Sequence, residues 1–196
     1  MKIDQMTVAE HKTRSDRSSK LLLLVAMVSM IMIFAGLTSA FVVSKSRGDW
    51  LKDFQLPSAF FWSTIVIIIS SLTFHLAKVA IQKDNKIQTT GFLVTTLILG
   101  ILFVVLQFQG FAQIIAGGHY FTGPQSAITT TFLFVVAIVH LAHLFVGLIC
   151  IVVINIKQFL NKYNSSSYLG IELGVMFWHF LDLLWVYLFL FLYFFK

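Results

Sequence analysis

An all-α bundle of five transmembrane helices is predicted by three features of the sequence. Five apolar segments, at about 21–43, 59–81, 91–115, 128–156 and 171–195, are each long enough to cross a hydrocarbon core about 30 Å thick at a rise of about 1.5 Å per residue. Only 11% of the 196 residues are charged and 58% are hydrophobic, with a mean hydropathy of +0.89, whereas soluble domains carry about 25% charged residues. The cationic residues also alternate from side to side. Lys2, Lys12, Arg14, Arg17 and Lys20, then Lys78, Lys83 and Lys86, then Lys157 and Lys162 give ten on one side, against Lys45, Arg47, Lys52 and Lys196, four, on the other. The positive-inside rule then places the N-terminus in and the C-terminus out. The net charge of +6 is thus a matter of topology and acidic lipid, and nucleic acid is not needed to explain it.

Residues 1–20 read as a polar cytoplasmic tail and 21–196 as one membrane domain. Leu21 to Val43 is too long for the h-region of a signal peptide, about 7 to 15 residues, so the cleavage-like Thr38-Ser39-Ala40 is read as part of a retained span. Ser29, Gly36 and Ala40 share one side of this helix and are predicted to pack against a neighbour. Trp50, Phe54 and Pro57 mark an interfacial loop, and Pro57 suits entry into the second helix. There Ser63, Ser70, Thr73 and Ala77 form a small polar face, while His75 points elsewhere, toward the interface. In the third helix Thr96, Gly100, Gln107 and Gly110 form one stripe, which faces the bundle because an amide in lipid needs a partner. A turn with Gly117, Gly118, His119, Tyr120, Gly123 and Pro124 leads to the fourth helix, where His140, His143 and Gly147 share an arc of about 60°. Cys150, the single cysteine, excludes an internal disulfide and reads as a packing residue.

The last helix carries the strongest signal. Glu172, Trp178, His179, Asp182 and Trp185 fall within an arc of about 140°, one polar face on an otherwise apolar cylinder. Asp182 sits roughly 15 Å along the axis, near the bilayer centre, where a carboxylate costs about 2.5 to 3.5 kcal/mol to insert unless it is neutralised or paired. His140 and His143 lie at a similar depth on the antiparallel fourth helix. The favoured reading is a structural polar network of His140, His143, His179 and Asp182 that locks helix register. Three others stay open: metal ligation by the histidine pair, which lacks a complete tetrahedral set; bis-histidine haem binding with His179 as the facing ligand; and proton relay or contact with another subunit.

The spacing Glu172-x5-Trp178-His179-Phe180-x-Asp182-x-x-Trp185 resembles the final helix of subunit III of the haem-copper terminal oxidases, the cytochrome c and quinol oxidases. His140-x-x-His143-x-x-x-Gly147 is a second match. Phe34-Ala35-Gly36, Thr64 with Ser70-Ser71-x-Thr73, and Leu106-Gln107 are looser ones, and together they cover the chain from about residue 25 onward. The resemblance implies a short five-helix form in a bacterial inner membrane. It implies an accessory subunit with no catalytic centre, metal or haem of its own, packed on subunit I, binding phospholipid and sustaining turnover, with haem and copper in partner subunits. Two departures matter. Ser29-Met30 stands where the family commonly has Ser-Glu, so the carbodiimide-reactive carboxyl is absent and a proton-antenna role is put in doubt; Gly110-Phe111 stands where many members have Glu-Tyr. A nitric oxide reductase-associated relative would share the same motifs. A small proton-coupled transporter would use Asp182, Glu172 and the histidines as its path, but would show repeat halves or broken helices.

Overall fold

A computed structural model of the chain describes residues 8–48, 50–51, 56–123 and 126–195. Lys2, Lys52, Phe54, Pro124 and Lys196 lie outside the described residues. The helices are α1 (Val8–Ser44), α2 (Ser58–Gln82), α3 (Lys86–Ala116), α4 (Ile128–Phe159) and α5 (Leu169–Phe195). All five are long and apolar enough to cross a membrane, and each runs unbroken.

Local chemistry sets the ends. Pro57, at φ −55°, precedes α2, where a fixed φ and a missing N–H are harmless. The Asn85 side chain accepts from the Gln88 N–H at 3.2 Å and caps α3, satisfying one of the orphan donors of a helix start. The turns after α2 and α4 reverse the chain through Asp84 at φ 56° and Asn161 at φ 52°, both residue types that tolerate the left-handed region.

Two helix starts lie well before the expected positions. α1 begins at Val8, inside the segment read as a tail, and α3 begins at Lys86 instead of Gly91. Hydropathy marks the part of a helix that lipid covers, whereas backbone hydrogen bonding continues into water wherever good helix formers follow; Glu10, Lys12, Arg14 and Arg17 are such residues.

The chain closes a ring in which α2 packs on α3, α3 on α4, α4 on α5 and α5 back on α2, while α1 lies outside against α4 and α5. Rings fill the interior. Phe103 lies 5.3 Å from Trp185, Phe60 5.9 Å from Trp185, and Phe111 5.2 Å from Phe134. Gly100 and Gly147 make room for one indole: a Cβ on Gly100 would lie 2.8 Å from Leu148 Cδ2 and 3.0 Å from Trp178, and one on Gly147 would lie 2.9 Å from Leu181 and 3.2 Å from Trp178. Gly110 does the same for the ring of Phe60.

The stripe expected to pack in α1 does not meet another helix among the described residues. Ser29 and Ala40 are exposed, and a Cβ on Gly36 would touch nothing within 4 Å. The helix seats itself with large residues instead. Phe34 enters a cluster with Val136, Leu184 and Leu188, and Phe41 packs on Trp50, Phe132 and Phe191. Burying a ring on this side recovers more dispersion contact than a small-residue seam would, so the small residues turn outward. Cys150, read as a packing residue, is likewise exposed.

Gly147→Ala is expected to lower stability by about 1 to 3 kcal/mol, the usual cost of overpacking, and Gly36→Ala to change it by less than about 0.5 kcal/mol. Unfolding of the two variants in detergent, followed by circular dichroism, measures the contrast.

Candidate functional site

The polar arc of α5 straddles the boundary between bundle interior and outer surface, and its residues separate accordingly. Trp178 and Trp185, seven apart, lie on the inner edge and are each 1% exposed. An indole N–H buried in apolar surroundings needs an acceptor. Both find one on α2: Trp178 Nε1 donates to Ser70 Oγ at 3.1 Å, and Trp185 Nε1 donates to Thr64 Oγ1 at 3.0 Å. Thr64 in turn donates to the Phe60 carbonyl at 2.7 Å, so this hydroxyl is used in both directions.

The small polar face of α2 also serves α3. Gln107 Nε2 donates to Ser63 Oγ at 3.0 Å, and Thr73 and Thr96 share a hydrogen bond at 2.8 Å. Ser63, Ser70, Thr96 and Gln107 are all fully buried.

His179 sits at the outer edge of the arc and bonds through Nδ1 to Ser71 of α2. Its ring centroid is 5.9 Å from that of His75. His75 is exposed and points away from the buried face of Ser63, Ser70 and Ala77, as expected; it joins a second polar group on the outer side, because Ser71 and His75 are i and i+4 on α2 and share a face. Asp182 lies between the two edges, 4% exposed, at the midpoint of α5. Ser71 lies beside its carboxylate, but among the described residues neither oxygen is in hydrogen-bond geometry with another group.

The network expected between α4 and α5 is not what forms. Among the described residues, neither His140 nor His143 shares a hydrogen bond or ring contact with His179 or Asp182. His140 is fully buried, with Trp185 at 5.2 Å, Phe103 at 6.2 Å and Phe34 at 6.3 Å, and among the described residues neither ring nitrogen has a hydrogen-bond partner. His143 Nδ1 pairs with the carbonyl of Val139 in its own helix at 2.7 Å. The reason is rotational. Once both indoles reach α2, the sector of α5 carrying His179 and Asp182 turns to the α2 side, and α4 meets the Leu181 and Trp178 side instead. Glu172 is also elsewhere, paired with Lys20 of α1 at 2.8 Å. It stands in the first turn of α5, where an anion suits the helix dipole, and an ion pair this exposed contributes about 0.2 to 1 kcal/mol. Lys20 carries no signal for this role in the sequence, because it needs the fold to bring α1 to α5.

His75, Ser71, His179 and Asp182 line a groove of about 530 Å³ between α2 and α5, flanked by Leu72 and Leu183. Among the described residues, no three His, Cys, Asp or Glu side chains gather closely enough to hold a metal ion.

A family model described as cytochrome c oxidase subunit III matches residues 3–196. The chain belongs to that family. A cytochrome c oxidase subunit 3 from Spodoptera frugiperda is 30% identical over 142 residues, covering 72% of this chain and 90% of that protein. A protein named "Probable quinol oxidase subunit 3" from Staphylococcus haemolyticus is 25% identical, covering 96% of this chain and 94% of that one. A cytochrome c oxidase subunit 3 from Pelomedusa subrufa is 29% identical over 73% of this chain, and here the match spans 51% of the relative, about half its length. With five spanning helices and bacterial relatives of subunit III, the chain is a multi-pass protein of the bacterial plasma membrane.

The indole–hydroxyl pairs of this subunit III chain give a direct measurement. A double-mutant cycle of Trp178→Phe and Ser70→Ala is expected to show a coupling of about 0.6 kcal/mol, with an upper bound of about 1.7. Trp185→Phe with Thr64→Val should behave alike, and crossing the pairs, Trp178→Phe with Thr64→Val, should give additive losses in detergent unfolding.

Proposed function

We propose that this chain is the non-catalytic subunit III of a haem-copper terminal oxidase: it packs on the catalytic subunit I, binds phospholipid, and sustains turnover of the oxygen-reducing complex, whose haem and copper reside in partner subunits. The observation that carries the reading is how the polar residues of the membrane interior are used. Trp178, Trp185, Gln107, Ser63, Ser70 and Thr96 are spent on contacts between helices of this chain, and His140 is enclosed by rings. They hold the bundle together and leave no continuous polar path from one membrane face to the other among these groups.

The unbroken helices argue against the transporter alternative, since secondary transporters build their sites on discontinuous helices at the midplane. Cytochrome c and quinol both remain compatible as electron donor to the complex, the staphylococcal relative being named for the second. The orientation that goes with this reading has the N-terminus and the loops at Lys83 and Lys157 inside, and the loops at Trp50 and His119 outside.

The test is to purify the tagged chain in mild detergent and identify what accompanies it. The expected companions are a haem- and copper-containing subunit I and a subunit II, with oxygen consumption; nitric oxide reduction in place of oxygen consumption would favour the reductase-associated relative. Removing the chain is expected to leave initial turnover intact and to speed its decay. Reporter fusions at Lys86 and at Lys196 should lie on opposite sides of the membrane.

A further inference from the structure

The groove between α2 and α5 is out of keeping with the surface around it. Its rims are those of a lipid-facing helix pair, with Leu72 59% and Leu183 71% exposed, yet between them stand Ser71, His75, His179 and Asp182. Asp182 is halfway between Leu169 and Phe195, about 20 Å along the axis from either end. Among the described residues neither of its oxygens is in hydrogen-bond geometry with a donor, and the one hydroxyl beside them, that of Ser71, is bonded to His179 and could serve at most one of the two.

A carboxylic group at that depth needs a donor, because the hydrocarbon offers none. A phospholipid does not supply it: acyl chains carry no donor, and head groups stand about 15 Å away at the edge of the core. Water alone would have to be held beside apolar rims that open onto lipid. A neighbouring protein helix meets each requirement, since it can fill the volume between the rims and project a donor at the level of Asp182 and His179.

We propose that the α2/α5 groove is the surface on which a transmembrane helix of the redox-carrying oxidase subunit docks, and that this helix delivers a hydrogen-bond-donating side chain to Asp182. The proposal rests on the accessory-subunit reading and names the face through which it operates. His179, held by Ser71, and His75 flank the contact and give it a polar rim on the α2 side. Intramembrane polar contacts of this kind fix register and partner choice more than raw affinity.

The test uses the whole complex in its native membrane, with a benzophenone amino acid placed at Leu72, at Leu183 and, on α4, at the exposed Phe145. The expected result is a photoproduct between the groove positions and the redox-carrying subunit, with Phe145 giving none. Products from Phe145 but not from the groove would overturn the proposal, as would groove products containing only lipid or a second copy of this chain. Failure of the tagged chain to bring any oxidase subunit through purification would instead bring down the accessory reading itself. Three substitutions extend the test. Leu72→Trp, at an exposed rim, is expected to reduce co-purified partner severalfold, and Phe145→Trp to leave it unchanged. Asp182→Leu is expected to reach the membrane at normal level and still lose partner. Full retention of partner by Asp182→Leu would overturn the donor contact.

Discussion

Two indole N–H groups seven residues apart on α5, each bound to a hydroxyl of α2, fix the rotation of the last helix, and most of the bundle follows from it. In water either N–H could turn outward and find a solvent acceptor. Inside a membrane there is no such alternative, so the cost of leaving a donor unpaired selects one orientation of α5 over its neighbours. With Trp178 directed to Ser70 and Trp185 to Thr64, the indoles become the centre of the bundle. Gly100 and Gly147 are then required on the adjoining helices, because any larger side chain would occupy the volume of the Trp178 ring.

The same rotation accounts for a division between two kinds of polar residue. Those on the inner edge of the α5 arc are paired within the chain. Those on the outer edge, His179 and Asp182, share the groove with Ser71 and His75 of α2. His140, on the far side of Trp185, is left among aromatic rings, with neither ring nitrogen hydrogen-bonded among the described residues.

Fold class and the number of spans were legible in the sequence, because a span of lipid imposes a length and a composition that few other constraints imitate. The family was legible from side chains that a membrane makes expensive: Trp178, His179, Asp182 and Trp185 at their particular spacing, with His140 and His143. Which helices those side chains meet was not. The arc of about 140° on α5 is wide enough to touch two neighbours, and a helical projection carries no information on which edge turns inward. Depth alone matched Asp182 to His140 as well as it matched His179 to Ser71. The deciding fact was the demand of the indoles, which the small hydroxyls at Thr64 and Ser70 answer. Ser29, Gly36 and Ala40 show the opposite case: a seam of small residues permits close approach but does not compel it, and within this chain Phe34 and Phe41 on a neighbouring face had more surface to bury.

α1 is a single rod from Val8 to Ser44 that touches the other helices only through α4 and α5, with Lys20 and Glu172 forming a tie near the edge of its apolar part. From the Phe34 contact to Glu10 the rod extends about 36 Å. A tilt of about 5° at that contact would therefore swing the polar end by about 3 Å, a geometric gain set by the length of the rod. Small adjustments of packing deep in the bilayer would in this way become displacements at the polar end of α1 large enough to make or break a contact.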